Sequence, residues 1–243
     1  MKKIVLCMLS LLMVFTVVGC KQDEKADETT NVKPNKEVEK EDEGTKSEVT
    51  ADNFMSFPET KAKSFKYKIT NSSKGEGCII EKCTSKDNVI RVPDKIEGKP
   101  VIAIDKFALS KLDNCEAVIL PDTVQWIDEG AISGNENLKY LYLGKGLKDV
   151  GIKALSDNRV LEEVEFPDGV ERLGSEVLTQ CYAIKKVVIP ASVTDVTTSF
   201  MDSLPKTSGV EIYAPKGSEA EKAALNANLK VVNYFRNGKR HKI

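Results

Sequence analysis

A 23-residue internal period dominates this sequence and sharply limits the folds open to it. Ile104, Ile127, Val150, Leu173 and Val196 are each 23 residues apart. A second register runs through Val118, Leu141, Val164, Val187 and Val210, and a third through Leu120, Leu143, Phe166, Ile189 and Ile212. Pro121, Gly144, Pro167 and Pro190 keep the same step, as do Ala108, Ala131, Ala154 and Val177. Self-similarity at this period marks a stack of small units rather than one closed core. Within a unit, Val164-Glu165-Phe166-Pro167 alternates apolar and polar and then stops at Pro, the pattern of a short strand with one buried face. Two further aliphatic residues follow at three-residue spacing, such as Val170 and Leu173. The next segment, such as Glu129-Gly130-Ala131-Ile132, suggests one short helical turn. So small a unit cannot bury its apolar residues alone, whereas stacked copies can, which predicts an α/β solenoid.

The best copy runs from Leu161-Glu162-Glu163-Val164-Glu165-Phe166-Pro167 through Ile184. It resembles the BspA-type (TpLRR-like) leucine-rich repeat of bacterial surface proteins. The resemblance spans roughly residues 65–234: Val92 to Ile104 is similar to the family's opening repeat, and Ile212 to Ser218 to its closing segment. It implies short parallel strands on a concave face. Some positions depart from the pattern. Pro93 to Pro121 is 28 residues, Gly144 stands where sister repeats have Pro, and the copy after Val196 is degenerate. At the ends, Phe65 to Ile69 and Cys78 to Glu81 flank a turn-rich stretch and predict a β-hairpin cap. Ser218-Glu219-Ala220-Glu221 resembles a capping box that opens a helix, with a last strand at Lys230 to Tyr234.

The N-terminal region has a different composition. Met1-Lys2-Lys3, the apolar run Ile4 to Val18 and Gly19 form the pattern of a secretory signal peptide, with an uncleaved anchor as the alternative. Val17-Val18-Gly19-Cys20 resembles the lipobox of bacterial lipoproteins, and that resemblance implies a diacylglyceryl group on Cys20. Two acyl chains hold a protein stably at a membrane where one does not. Residues 21–48 then carry six Lys against ten acids, a local charge of −4. With almost no large apolar residues, this stretch cannot offset the entropy of ordering. A disordered tether is expected, reaching roughly 30 Å on average and about 100 Å when fully extended. The expected organisation is therefore a signal peptide at 1–19, lipidated Cys and tether at 20–53, and capping strands at 54–92. Repeats follow at 93–215, a helix–strand cap at 216–234 and a basic tail at 235–243.

The residue inventory turns attention from reactions to surfaces. Lys plus Arg is 36 and Asp plus Glu is 37. That balance argues against a dedicated nucleic-acid binder. The single His, His241, lies in the basic tail, which leaves no base for a Ser or Cys nucleophile and removes most zinc sites. No cofactor, metal or catalytic residue is expected. Cys115 falls in the core register of Leu138, Leu161 and Ile184. Cys181 falls at the position of Asn135 and Asn158, where packing or backbone hydrogen bonding is its expected role. Cys78 and Cys83, five apart, would lie on opposite faces of one strand, so a disulfide between them would need an intervening turn.

What remains is the exposed strand face. Its columns are expected to hold Ala117 and Ile119, Tyr140 and Tyr142, Glu163 and Glu165, Lys186 and Val188, then Gly209 and Glu211. Exposed aromatics beside carboxylates suit a recognition patch, while the same residues also suit ordinary cross-strand pairing. The candidate binding face is thus Ile119, Tyr140, Tyr142, Glu163, Glu165, Lys186 and Val188. The resemblance implies a surface lipoprotein that binds a protein or glycan partner, with an envelope scaffold as the alternative.

Overall fold

The computed structural model describes residues 47–72, 75–196, 198–205 and 209–234. The expected signal peptide, Cys20, tether residues 21–46 and the basic tail with His241 lie outside them.

Each repeat lays down one coil with two short parallel strands. The first ladder stacks β3 (Val89–Arg91), β6 (Ala117–Ile119) and β8 (Tyr140–Tyr142). A separate ladder continues the same position in the repeat with β10 (Glu163–Glu165), β12 (Lys186–Val188), β14 (Glu211–Pro215) and β15 (Lys230–Tyr234). On the other side of the coil, β5 (Lys99–Ile104), β7 (Trp126–Ile127), β9 (Asp149–Val150), β11 (Arg172–Leu173) and β13 (Asp195–Val196) pair in parallel. Register follows the sequence period: Ile104 faces Ile127, then Val150, Leu173 and Val196. Between the two strand positions, the segment expected to form a helical turn instead runs through i→i−3 turns, such as Ala131 N to Asp128 O at 3.1 Å. Its amides also donate along the stack. Leu109 N bonds Ala131 O, Ile132 N bonds Ala154 O, and Leu155 N bonds Val177 O, at 2.8 to 3.1 Å.

Inside each coil the aliphatic registers meet. Leu138, Leu147, Val150, Ala154 and Leu155 are wholly buried, and so are their counterparts one repeat on, Leu161, Val170, Leu173, Val177 and Leu178. Each large aliphatic residue removed from water contributes about 1.5 to 3 kcal/mol. At the corner after this layer sits a polar column. Asn135 is fully buried, accepts from Leu112 N at 2.8 Å, and donates to the carbonyls of Leu109 and Ile132. Asn158 repeats the pattern: it accepts from Asn135 N at 3.0 Å and donates to the Ile132 and Leu155 carbonyls. Cys181 takes the next place and donates its thiol to Leu155 O at 3.2 Å. The expected backbone-bonding role of this position is thus seen directly.

The irregular places have local causes. The 28-residue opening spacing carries Val89 onto Ala117, and the extra residues form a hairpin of β4 (Lys95–Ile96) with β5. Its turn residues Glu97 and Gly98 both have positive φ, 51° and 75°. Gly144 has φ 69°, which Pro cannot adopt, and a Cβ there would collide with the Pro121 carbonyl. In the last coil the expected period fails. Lys186 pairs with Glu211 and Val187 with Ile212, a spacing of 25, so Gly209 and Val210 do not continue the columns. The helix α1 (Thr198–Asp202) replaces the usual turns there and buries Phe200 and Met201, with Phe200 edge-on to Phe166 at 6.2 Å.

At the N-terminal side, β1 (Phe65–Ser72) and β2 (Gly75–Cys83) form an antiparallel pair, and β2 joins β5 in parallel. Register shifts between Lys66 and Tyr67, leaving Glu81 as the extra residue of a bulge. That bulge puts Cys78 and Cys83 on the same buried face, against the expectation of opposite faces. Both are free thiols, as are Cys115 and Cys181. At the other end, β14 and β15 flank α2 (Glu219–Asn226), whose N-cap Ser218 accepts from Glu221 N at 3.2 Å. Surface ion pairs also follow the period: Glu116–Lys139, Asp149–Arg172 and Glu162–Lys185 each join neighbouring coils. Exposed pairs of this kind contribute at most about 1 kcal/mol each.

Two outcomes follow from this packing. Asn158→Leu leaves the Asn135 backbone amide unpaired in the core and removes one of the two side-chain donors to each of the Ile132 and Leu155 carbonyls. It is expected to cost about 3 kcal/mol, read as a lowered midpoint in urea or thermal unfolding. Burial pushes the thiols of Cys115 and Cys181 up to about 12. Unfolded thiols ionise near about 8.5, so above that pH the unfolded chain loses protons that the folded chain keeps, and stability falls as pH rises. The slope is about 1.4 kcal/mol per pH unit per buried thiol, and urea titrations from pH 8 to 11 should show it. Cys115→Ala is expected to shallow that slope; an unchanged slope would exclude the thiol as its source.

Candidate functional site

The outward residues of the first strand position form two columns, since alternation turns Val118, Leu141, Val164 and Val187 inward. One column holds Val89, Ala117 and Tyr140, followed by Glu163, Lys186, Glu211 and Lys230. The other holds Arg91, Ile119 and Tyr142, followed by Glu165, Val188, Tyr213 and Val232. The interruption of the ladder between β8 and β10 divides this face into two parts of different chemistry.

The first part is covered by the chain itself. Residues 47–60, expected to be the end of a disordered tether and the start of the cap, fold back across β3, β6 and β8. Val49 is 4% exposed and closes a small apolar cluster with Val89, Ala117 and Ile119, itself 2% exposed. Phe54, Phe57, Tyr140 and Tyr142 pack around it. Phe54 stacks on Tyr140 with centroids 5.3 Å apart and planes 15° from parallel. The strap holds its own shape through Asn53, which accepts from Thr50 N at 2.8 Å and donates to Glu48 O at 2.9 Å. Arg91 holds it to the ladder: Nη1 donates to the carbonyls of Met55 at 2.6 Å and Phe57 at 3.3 Å. Thr60 adds a backbone bond to Arg91 O at 2.9 Å and accepts Arg91 N on its hydroxyl at 3.1 Å.

Of the candidate face, then, Ile119 is buried and Tyr140 is stacked beneath Phe54. Tyr142 donates its hydroxyl to Asp122 at 2.9 Å. The Lys145 backbone amide, which donates to the same carboxylate, and Tyr142 hold Asp122 below the usual carboxylate range. Residues that reading the sequence missed are Val49, Phe54, Phe57 and Arg91. The available signal was the return of Phe54, Met55 and Phe57 after some thirty residues nearly without large apolar side chains. It was matched by Ala117 and Ile119, two apolar residues on the outward side of one strand.

The second part is open and polar. Glu163 and Glu165 are exposed on β10, and neither makes an ion pair among the described residues. Lys186 lies over the Tyr213 ring at 4.8 Å. Tyr213 donates to Glu211 at 3.0 Å, and Glu211 is also paired with Lys230, which holds its carboxyl below the ordinary value. Val188 is partly exposed beside Glu165 and Tyr213. A polar cleft of about 480 Å3 opens elsewhere, where Ser47 and Glu48 of the strap meet Asn88, Asn114, Glu116, Asn137 and Lys139. Among the described residues no three His, Cys, Asp or Glu side chains come together as metal ligands, and no helix is long and apolar enough to cross a membrane.

Comparison with known proteins agrees with this architecture. No curated protein gives a significant sequence match. A leucine-rich repeat protein of T. pallidum (TpLRR) superposes with a TM-score of 0.58 at 26% identity, covering 64% of this chain and 71% of that one. A leucine-rich cell surface protein of Faecalibacterium prausnitzii gives 0.52 at 17% identity and shows the fold alone; the match covers 69% of this chain and 42% of that one. The BspA type leucine rich repeat region matches residues 81–206 in six copies. With just over half its length in those repeats and its strands stacked at two positions of the same period, the chain belongs to the BspA-type leucine-rich repeat family.

Proposed function

We propose that this protein is a lipid-anchored protein of the bacterial cell surface that binds a protein or glycan partner through the open part of its strand face. The observation that carries this reading is the β10–β12 surface, where Glu163 and Glu165 stand exposed and unpaired beside Lys186 and Val188. Charged residues that stabilise a fold usually find partners within it, as Glu116, Asp149 and Glu162 do here. Two carboxylates left free on a rigid ladder are instead placed to meet charge from outside, and polar complementarity of this kind sets partner choice and association rate. Membership of a repeat family with extended binding surfaces supports the same reading. The solved F. prausnitzii relative is described as a cell surface protein, which agrees with the proposed location. The reading involves no catalysis. A second reading keeps the anchor but gives the protein a scaffolding role with a partner from its own envelope.

Anchoring rests on Cys20 in its lipobox context. Cells fed labelled palmitate are expected to label the wild-type chain and not Cys20→Ser; label retained in the variant would exclude acylation at that site. Binding is tested by capture from extracellular-matrix proteins, envelope proteins and a glycan array. Glu163→Lys combined with Glu165→Lys is expected to weaken the captured interaction at least tenfold without lowering the unfolding midpoint. Unchanged affinity would remove this face from the binding role. Capture from the matrix or from the envelope separates the two readings.

A further inference from the structure

The strap over β3, β6 and β8 is built like a bound peptide rather than like part of the solenoid. Its cluster is separate from the main core, so Val49, Phe54 and Phe57 add nothing to the stacked aliphatic layers. It adds no strand to the ladder it covers. What holds it is the set of contacts by which a protein grips a peptide. An apolar floor of Val89, Ala117 and Ile119 receives Val49, one aromatic ring stacks on Tyr140, and the Arg91 guanidinium donates to two main-chain carbonyls. The floor is complementary to that ligand only where the strap lies. One strand further, past the break between β8 and β10, the same columns turn to Glu163 and Glu165.

We propose that this half of the face is a peptide-binding site, occupied in cis by residues 47–57. In trans it would accept a partner peptide of the same chemistry: an aliphatic residue followed by aromatic residues five and eight positions later. This rests on the reading of the strand face as the binding surface. The strap then acts as a tethered competitor. A ligand attached through a short linker has an effective concentration on the order of millimolar, so a free peptide of equal intrinsic affinity competes poorly until the strap is weakened. Local release is the route by which such a segment yields while the ladder beneath stays folded.

The test uses the full chain and a fluorescent synthetic peptide spanning residues 47–60. Phe54→Ser with Phe57→Ser is expected to bind the peptide saturably and at least tenfold more tightly than wild type. Adding Arg91→Ala or Tyr140→Ala to that variant is expected to abolish the gain. Equal binding to wild type and variant, or no binding to a folded variant, would overturn the proposal. Should the variant lose its fold, hydrogen exchange on wild type decides: the Phe54 amide, bonded to Thr50 O within the strap, is expected to exchange at least a hundredfold faster than the Val118 amide. Exchange of both at one common rate would show a strap released only on global unfolding, and would sink the idea. Partner capture that still depends on Glu163 and Glu165 would leave the proposed function standing in that case.

Discussion

Every coil of this protein leaves backbone donors and acceptors pointing along the stack, and only the next coil can satisfy them. The two strand positions hand hydrogen bonds forward, and so do the turn segments, where Leu109, Ile132 and Leu155 donate to carbonyls one repeat ahead. The corner between them cannot use regular pairing, so buried Asn135 and Asn158 take it over, each bridging three backbone groups. An unpaired polar group at such depth costs more than a hydrogen bond returns, so the corner must be completely satisfied or absent. Cys181 occupies it with weaker donor capacity, in the last coil before the period fails.

A stack satisfied only by its neighbours has a problem at each end, and the two ends solve it differently. At the start, the antiparallel pair β1–β2 lies beside β5 and leaves β3 at the border of the other ladder. Thr60 pairs with one side of that border at Arg91, and the strap covers the adjoining face. At the finish, β15 extends the ladder by one parallel strand after α2, with Tyr234 reaching back toward the Ile189 carbonyl. Exposed strand borders invite unwanted pairing, and both arrangements reduce what is left open.

The period was legible because each buried position meets its own equivalent one coil away, so a single spacing records the whole core. Ile104 to Val196 could therefore be placed in register from the sequence, as could the inward Asn and Cys column. What could not be read depends on events that leave no period. One inserted residue at Glu81 reverses the face of Cys83, and two extra residues around α1 shift Glu211 into the place expected for Gly209. Gly144 reads as a lapse from Pro, but its positive φ shows a different turn at the point where the strand ladder breaks. The strap was hidden by composition. Val49 follows a charged stretch whose character masks it, and its contacts with Val89 and Ile119 lie some forty to seventy residues away.

The strap changes what the strand face means. A continuous ladder of Tyr, Glu, Lys and Val would be one recognition surface with mixed chemistry. The ladder instead breaks after β8, and the apolar part is filled while the charged part is free. Apolar surface gains most from being covered, whereas exposed carboxylates lose little by staying hydrated, so the chain has covered the half that water disfavours. The covering comes from residues 47–57, which precede the hairpin and the coils in the chain. The same short stretch of sequence that precedes the hairpin thus decides which half of the face stays open.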